Sequence, residues 1–287
     1  MKDFLNRYAR SKSALFGLGF LTMILFAAAF ADLLAPTDPW ASTGERFVKP
    51  FSEGALFGTD SLGRDIWAGV VHGTRVSLLV GFSSAFLSLL IGVFIGHIAG
   101  YLGNWASDIL MHLTEIVQTI PAFILAVIIV ALLQPSIPSI IAAVSIVSWP
   151  PTARLVRGEV LALKSREFIE AARLSGLSRR AIMLREVLPN CASPIIVMGS
   201  LTVASAILME SAIGFLGLGD PNLMSWGYMV GSARSMLRIA WWMCFFPGGA
   251  IFLTVLSINL ASEGLSDALD PKFSPRRGGE GQRESPP

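Results

Sequence analysis

Long apolar segments alternate with shorter polar segments along this chain. Several apolar runs approach 20 residues, the length at which a helix crosses a hydrocarbon core of about 30 Å. The pattern predicts an all-α polytopic membrane protein with six transmembrane helices. The predicted division of the chain is a tail (1–12), a first transmembrane helix (13–35), a polar loop (36–72), a core with five further transmembrane helices (73–262) and a second tail (263–287).

The composition supports a membrane protein. Of the 287 residues, 53% are hydrophobic and only 15% are charged, whereas soluble domains contain about 25% charged residues. The formal net charge of +2 is too small to indicate a nucleic-acid partner. The lipid bilayer is therefore the partner that composition predicts.

The most basic connection between two apolar runs covers residues 154–190 and holds eight of the 22 Lys and Arg residues. These eight are Arg154, Arg157, Lys164, Arg166, Arg173, Arg179, Arg180 and Arg185. Basic loops remain on the cytoplasmic side of the membrane. We therefore place this connection and both termini in the cytoplasm, and residues 36–72 outside.

The basic connection has the features of two short helices. Gly176 is placed to end the first helix in a left-handed turn. Ser178 can cap a second helix, and Pro189 can end it before the next apolar run.

Within residues 158–190, the spacing of Glu170-Ala171-Ala172, Gly176 and Leu188-Pro189 resembles the EAA loop of permease subunits of ATP-binding-cassette (ABC) importers. The resemblance implies that these six residues couple the chain to an ATPase. Glu186 departs from the family pattern, which more often has an apolar residue at that position.

Two other segments resemble the dipeptide, oligopeptide and nickel branch of the same family. Residues 57–65 with GTRVSL at 73–78 are similar to the segment that enters the second helix of those permeases. Residues 210–219 followed by SWG at 225–227 are similar to E-A-x-L-S-F-L-G-L-G…S-W-G, with Ile213 and Gly214 as departures. The resemblance implies the type I ABC importer permease fold.

The resemblance also implies partners and a location in the bacterial inner membrane. The partners are a homologous second permease subunit, two ABC ATPase subunits and an extracytoplasmic solute-binding protein. The chain has no G-x-x-x-x-G-K-[ST] phosphate loop. We therefore expect no catalytic residues and no cofactor in this chain, with ATP and Mg²⁺ bound by the partner ATPases.

Di- and oligopeptides are the cargo that the family resemblance favours, and nickel or a metal chelate is the alternative. A proton-driven secondary transporter is a remote alternative, because it would need several ionisable residues near the bilayer centre and an inverted repeat. A membrane enzyme would need a nucleophile–base pair or a His-rich metal site, which three scattered histidines do not indicate.

Four residues are candidates for the translocation path or its gate: Glu210, Ser211, Phe215 and Pro121. Glu210 is an acid inside a predicted span, and such residues are commonly functional. The alternative is a helix-end residue paired with Arg234 or Arg238. Pro121 is predicted to kink the third span.

Several smaller features allow alternative interpretations. Small residues at steps of four, from Ser84 to Gly100, could form a seam with a partner subunit or pack inside this one. Pro150-Pro151 is predicted to interrupt the fourth span. Among the polar groups, a structural role is favoured over metal binding for Asp60 and Asp65, and for the helix face that carries Asp108, His112 and Glu115. The two cysteines are predicted to be unpaired.

Overall fold

A computed structural model describes residues 8–9, 11–42, 44–52 and 54–269. These residues form helices and connecting loops, with isolated β-bridges and no strand among them. The first helices are α1 (Lys12–Ala29), α2 (Ala31–Leu34), α3 (Ile66–Leu102), α4 (Asn104–Thr119), α5 (Ala122–Leu133) and α6 (Ile137–Lys164). The remaining helices are α7 (Glu167–Leu174), α8 (Arg179–Ala181), α9 (Leu188–Asn190), α10 (Ala192–Ile213), α11 (Trp226–Ala233) and α12 (Trp242–Leu269). Two π-helical segments lie beside them, Ile182–Val187 and Gly214–Leu218.

Five helical segments in the described part of the chain are long and apolar enough to cross a membrane. They are α1, α3, α6, α10 with the π-helical segment that follows it, and α12. The helices α4 and α5 meet at an angle of 81° and make the sixth span if they are counted together. The bend is at Pro121, whose preceding residue, Ile120, is extended as residues before proline prefer. The predicted kink is thus present, as a break between two helices.

The small residues of α3 pack against α6 inside this subunit. A Cβ atom at Gly92 would lie 2.6 Å from Cβ of Thr152, and one at Gly100 would lie 2.7 Å from Cβ of Val160. Gly96 lies directly against the carbonyl group of Ala153. This close approach of two backbones requires glycine, so the small-residue seam is occupied within this chain.

Three predicted helix limits and one predicted interruption differ from the structure. The helix α1 ends at Ala29 instead of 35, and α12 continues to Leu269, into the predicted tail that begins at 263. The helix α3 begins at Ile66, not near 73, because the Asp65 carboxylate accepts a hydrogen bond from the Trp67 amide and caps it. The predicted interruption at Pro150-Pro151 is wrong, since both prolines lie inside the continuous helix α6.

The polar loop before α3 is tied to the outer end of α12. The indole of Trp242 in α12 donates a hydrogen bond to the Thr59 carbonyl at 3.2 Å. The rings of Phe57 and Phe246 stack with centroids 3.9 Å apart. Asp60 accepts hydrogen bonds from two amides of its own turn. The burial of Asp65 raises the pKa of its carboxyl group. Both aspartates therefore have the structural role that was favoured.

Candidate functional site

The basic loop folds into the two short helical segments that its sequence predicts. The first is α7, followed by Gly176 with φ of 80°, in the left-handed region where glycine is preferred. The second begins at Ser178, whose hydroxyl oxygen accepts a hydrogen bond from the Ala181 amide. It runs through α8, the π-helical segment Ile182–Val187 and α9.

Apolar side chains anchor the basic loop to the membrane helices. Ile169 of α7 is fully buried, and Ile182, Val187 and Cys191 are buried in the same cluster. This cluster includes Val156 and Val160 of α6, with Ala172 packed at its side. The loop is therefore held against α6 through its apolar face, while its polar face is free.

The candidate coupling residues are divided between the exposed face of the basic loop and the face that packs against α6. Glu170, Ala171, Gly176 and Pro189 are exposed, whereas Ala172 and Leu188 are half-buried. Leu174, at the end of α7, is 90% exposed. The candidate coupling residues thus include both exposed positions and positions packed against the rest of the subunit.

A direct polar contact joins the second helical segment to α3. The buried imidazole of His97 has its Nε2 atom 3.2 Å from the Met183 carbonyl oxygen. Met183 lies in the π-helical segment, where its carbonyl also accepts the amide of Leu188. The role of His97 is not predicted from the sequence, because an isolated histidine in an apolar run does not show which carbonyl group it will contact.

On the opposite side of the subunit, Glu210 near the end of α10 is completely buried. Its Oε1 atom accepts a hydrogen bond of 2.6 Å from the Ser225 hydroxyl, and its Oε2 atom lies 3.5 Å from the Ser211 hydroxyl. Ser225 in turn accepts the amide of Tyr228 and caps α11. No described ion pair or hydrogen bond joins this carboxylate to Arg234 or Arg238, so the alternative interpretation is wrong. Arg234 instead donates to the Phe215 carbonyl at 3.4 Å.

Glycines bring α11 against the end of α10. A Cβ atom on Gly227 would lie 2.7 Å from Oε1 of Glu210. Gly231 and Gly214 are in backbone contact, because a Cβ on Gly231 would collide with the Gly214 carbonyl oxygen. The segment that resembles the second family pattern is thus a closely packed pair of helices around one buried carboxylate.

The four candidate path residues do not form one cluster of side-chain contacts. Ser211 is adjacent to Glu210 and buried, Phe215 is 43% exposed in the π-helical segment Gly214–Leu218, and Pro121 is exposed at the start of α5. The helix α5 contacts that π-helical segment. The bend at Pro121 is therefore linked to the Glu210 region through α5.

Asp220 is a further residue whose role is not predicted from the sequence. Its Oδ2 atom accepts the Ile137 amide at 2.9 Å, and its Oδ1 atom accepts the Asn222 amide at 2.8 Å. The first bond joins the loop after α10 to the N-terminus of α6. Because α6 also carries the basic loop at its other end, one helix connects the Glu210 region to the candidate coupling surface.

The remaining polar candidates show no sign of a metal site. In the face that carries Asp108, the imidazole of His112 lies 3.1 Å from Glu115 and both side chains are exposed. No group of three or more His, Cys, Asp or Glu residues within the described ranges could hold a metal ion. Cys191 and Cys244 are both unpaired.

Comparison with known proteins gives the family. The model of the binding-protein-dependent transport system inner membrane component matches residues 92–275. The model of the N-terminal transmembrane domain of oligopeptide transport permease C matches residues 1–49.

Curated relatives match along almost the whole chain. The di/tripeptide transport system permease protein DppC of Pseudomonas aeruginosa is 43% identical, over 95% of this chain and 92% of that protein. The oligopeptide transport system permease protein OppC of Bacillus subtilis is 36% identical, over 95% and 90%. The glutathione transport system permease protein GsiD of Pectobacterium atrosepticum is 39% identical, over 95% and 91%.

A solved structure has the same fold. An inward-facing conformation of the MetNI methionine ABC transporter contains a chain that superposes with a TM-score of 0.59 at 17% identity. The match covers 70% of this chain and 97% of that chain, which confirms the predicted ABC importer permease fold. The chain therefore belongs to the family of inner membrane components of binding-protein-dependent transport systems.

Proposed function

We propose that this chain is the subunit through which a binding-protein-dependent ABC importer moves di- and oligopeptides across the inner membrane. The assignment of peptides as the cargo rests on the 43% identity to a di/tripeptide permease over 95% of this chain. The related permeases for oligopeptides and glutathione support the same class of substrate.

In this proposal, ATP is bound and hydrolysed by two partner ATPases, which also hold Mg²⁺. A second, homologous permease completes the membrane path, and an extracytoplasmic solute-binding protein delivers the peptide. Closure of the ATPases moves the loop of residues 158–190, the two permeases rock, and the path opens outward. Hydrolysis returns the path to the inward-facing state.

The coupling role of the loop rests on its geometry. Glu170, Ala171 and Gly176 are exposed on α7 and its C-terminal turn, while Ile169 on the opposite face is buried against α6. A force applied to the exposed face is transmitted to α6 through this packed cluster, because packed side chains resist compression. The half-buried Ala172 and Leu188 and the exposed Pro189 complete the proposed coupling set.

At the other end of α6, we propose that Glu210, Ser211 and Phe215 border the outer part of the path, and that Pro121 is a bending point. Glu210 accepts a hydrogen bond from Ser225, which caps α11, and Ser211 bonds within α10, whereas Phe215 is exposed and can contact the passing peptide. Glu210 thus acts on the shape of the path and not as a ligand of the peptide.

The test is ATP hydrolysis by the complex reconstituted in lipid with its binding protein. We expect a mixture of short peptides to increase the rate of hydrolysis. Stimulation by nickel or a nickel chelate, without stimulation by peptides, would support the importer function but contradict the assignment of peptides as its cargo. Failure of the chain to assemble with any ATPase would overturn the coupling role.

Two substitutions test the coupling residues directly. Gly176→Pro is incompatible with φ of 80°, and Glu170→Lys reverses an exposed charge on α7. We expect both variants to reach the membrane and to lose peptide uptake per ATP hydrolysed. The matched control is Glu45→Lys, the same charge reversal at an exposed position of the polar loop. Wild-type uptake in the Glu170 and Gly176 variants would contradict the assignment.

A further inference from the structure

A cavity of about 830 Å³ opens at the end of α3, between this helix, the end of α6 and the basic loop. Its polar lining includes four cationic side chains and no carboxylate. They are Lys164, Arg173, Arg179 and Arg180. The cavity is thus a concentrated positive site at the level where two spans leave the membrane.

No carboxylate in the described part of the chain forms an ion pair with the arginines of this cavity. Within the described ranges, ion pairs join only Asp32 to Arg75 and His72, and His112 to Glu115. Lys164 donates to the Tyr101 carbonyl at 2.8 Å and lies 5.5 Å from the centre of its ring. Four cationic side chains that line one cavity repel one another, so an anion bound among them is favoured.

The other walls of the cavity are apolar. Ile98 and Leu102 come from the last turns of the membrane span α3, and Leu177 and Ile182 come from the basic loop. Leu102 is 54% exposed although it ends a membrane span. A ligand that fills this cavity therefore needs a negative group beside an apolar part.

We propose that the cavity binds the head group of an anionic phospholipid, with its phosphate among the three arginines and its first acyl carbons along Ile98 and Leu102. Basic pockets between membrane helices on the cytoplasmic side suit such head groups. An acidic side chain of a partner ATPase would match the charge but not the apolar wall that α3 contributes from inside the bilayer. The lipid is the occupant that satisfies both.

The bound lipid would join three parts of the subunit. Arg173 belongs to α7, Arg179 and Arg180 to α8, and Ile98 and Leu102 to α3. One head group would then hold the two short helices of the loop at a fixed position relative to a membrane span. This inference does not depend on the peptide cargo.

The experiment measures lipid binding to the full-length chain, alone and in the assembled complex, by native mass spectrometry. The probes are phosphatidylglycerol, phosphatidylcholine with the same acyl chains, and inorganic phosphate. We expect phosphatidylglycerol to be retained in both preparations, phosphatidylcholine to bind at least tenfold more weakly, and phosphate not to displace the lipid.

The variant removes three charges at once: Arg173→Gln, Arg179→Gln and Arg180→Gln. Each cation near a membrane surface is worth about fivefold in affinity for an anionic lipid, so the triple variant should bind phosphatidylglycerol about a hundredfold more weakly. The matched control is Arg154→Gln, Arg166→Gln and Arg185→Gln, which removes three charges from the same connection outside the cavity. The control should retain wild-type affinity.

Three results would overturn the proposal. Equal loss of affinity in both triple variants would mean that the lipid responds to the total charge and not to the cavity. Displacement by inorganic phosphate would mean that the site takes a free anion. Lipid binding to the isolated chain that disappears in the assembled complex would mean that an ATPase side chain occupies the cavity. Because ATP hydrolysis can be measured on the same complex, failure of the lipid site is distinguishable from failure of the importer.

Discussion

The Nε2 atom of His97, inside α3, lies 3.2 Å from the carbonyl oxygen of Met183 in the basic loop. It is a polar contact between a membrane span and the second helical segment of that loop. Because the acceptor is a carbonyl, the histidine donates, which fixes its tautomer. The loop is thereby attached to α3 as well as to α6.

Removing this contact should weaken coupling. His97→Ala eliminates a hydrogen bond worth about 0.5–1.5 kcal/mol and frees the π-helical segment from α3. We expect less peptide uptake per ATP hydrolysed, measured in proteoliposomes. His72→Ala is the matched control, since His72 makes an equivalent 2.9 Å contact to the Ala35 carbonyl at the other end of α3. Equal losses of uptake in the two variants would contradict a specific role for His97.

Ser225→Ala should destabilise the protein by about 1–3 kcal/mol, because it leaves the buried Glu210 carboxylate without its 2.6 Å donor and removes the cap of α11. The measurement is the thermal unfolding midpoint in detergent. Ser232→Ala is the control, because that hydroxyl bonds only to its own helix at Met229. Glu210→Gln, which keeps an acceptor for Ser225, should cost less than Ser225→Ala. The reverse order would show that the charge of Glu210 is the stabilising feature.

Gly96→Ala should separate α3 from α6. The added methyl group meets the Ala153 backbone, which cannot move aside as a flexible side chain can. We expect a loss of stability of about 1–3 kcal/mol. Gly248→Ala, in α12, meets no atom within 4 Å and should be neutral or stabilising by up to about 1 kcal/mol. Equal decreases of the unfolding midpoint in the two variants would contradict the requirement for glycine at position 96 in the packing of α3 against α6.

A pH-dependent contact joins α2 to α3. Asp32, which lies beyond the end of the first span at Ala29, accepts hydrogen bonds from both terminal nitrogens of Arg75 at 3.1 and 2.9 Å. These hydrogen bonds to Arg75 lower the pKa of Asp32 from its ordinary value of 3.8. A lowered pKa contributes stability above the unfolded value, and this contribution is lost as the pH falls through the folded value.

Asp32→Asn should therefore be less stable than the wild type at pH 7, and the difference should shrink below about pH 3.8. Unfolding midpoints measured between pH 3 and 7 test this. Asp38→Asn is the control, because Asp38 accepts only the backbone amide of Trp40 in the described structure. A difference between Asp32→Asn and wild type that stays constant with pH would rule out the ion pair as its cause.

The hydrophobic pattern predicted the helical class and most spans. Prolines inside the predicted spans, however, had different effects at different positions. Pro121 breaks a span into two helices, whereas Pro150 and Pro151 lie in the uninterrupted helix α6. The difference comes from packing. The segment around Pro150 lies between neighbours and contacts Gly92 of α3 through Trp149 and Thr152. A sequence does not show in advance which proline will have such support.

Residues that are neighbours in the chain predicted the turn and the cap of the basic loop. No such local signal predicted the buried hydrogen bonds between distant segments. The left-handed turn at Gly176 and the cap at Ser178 depend on residues next to one another in the chain, so they were readable. The bond between Glu210 and Ser225 and that between Asp220 and Ile137 join distant segments. Nothing in the order of residues specifies those partners, and the alternative interpretation of Glu210, a pairing with Arg234 or Arg238, is wrong.

The glycine contacts between α10 and α11 restrict how the outer end of this subunit can change shape. Gly214 and Gly231 touch through their backbones, and Gly227 lies against Glu210, so neither helix can slide along the other without collision. The end of α10 and the helix α11 therefore move as one rigid unit. In the proposed path, the width of the outer opening follows from the tilt of this unit, so that peptides of different lengths enter without any change in the contacts between the two helices.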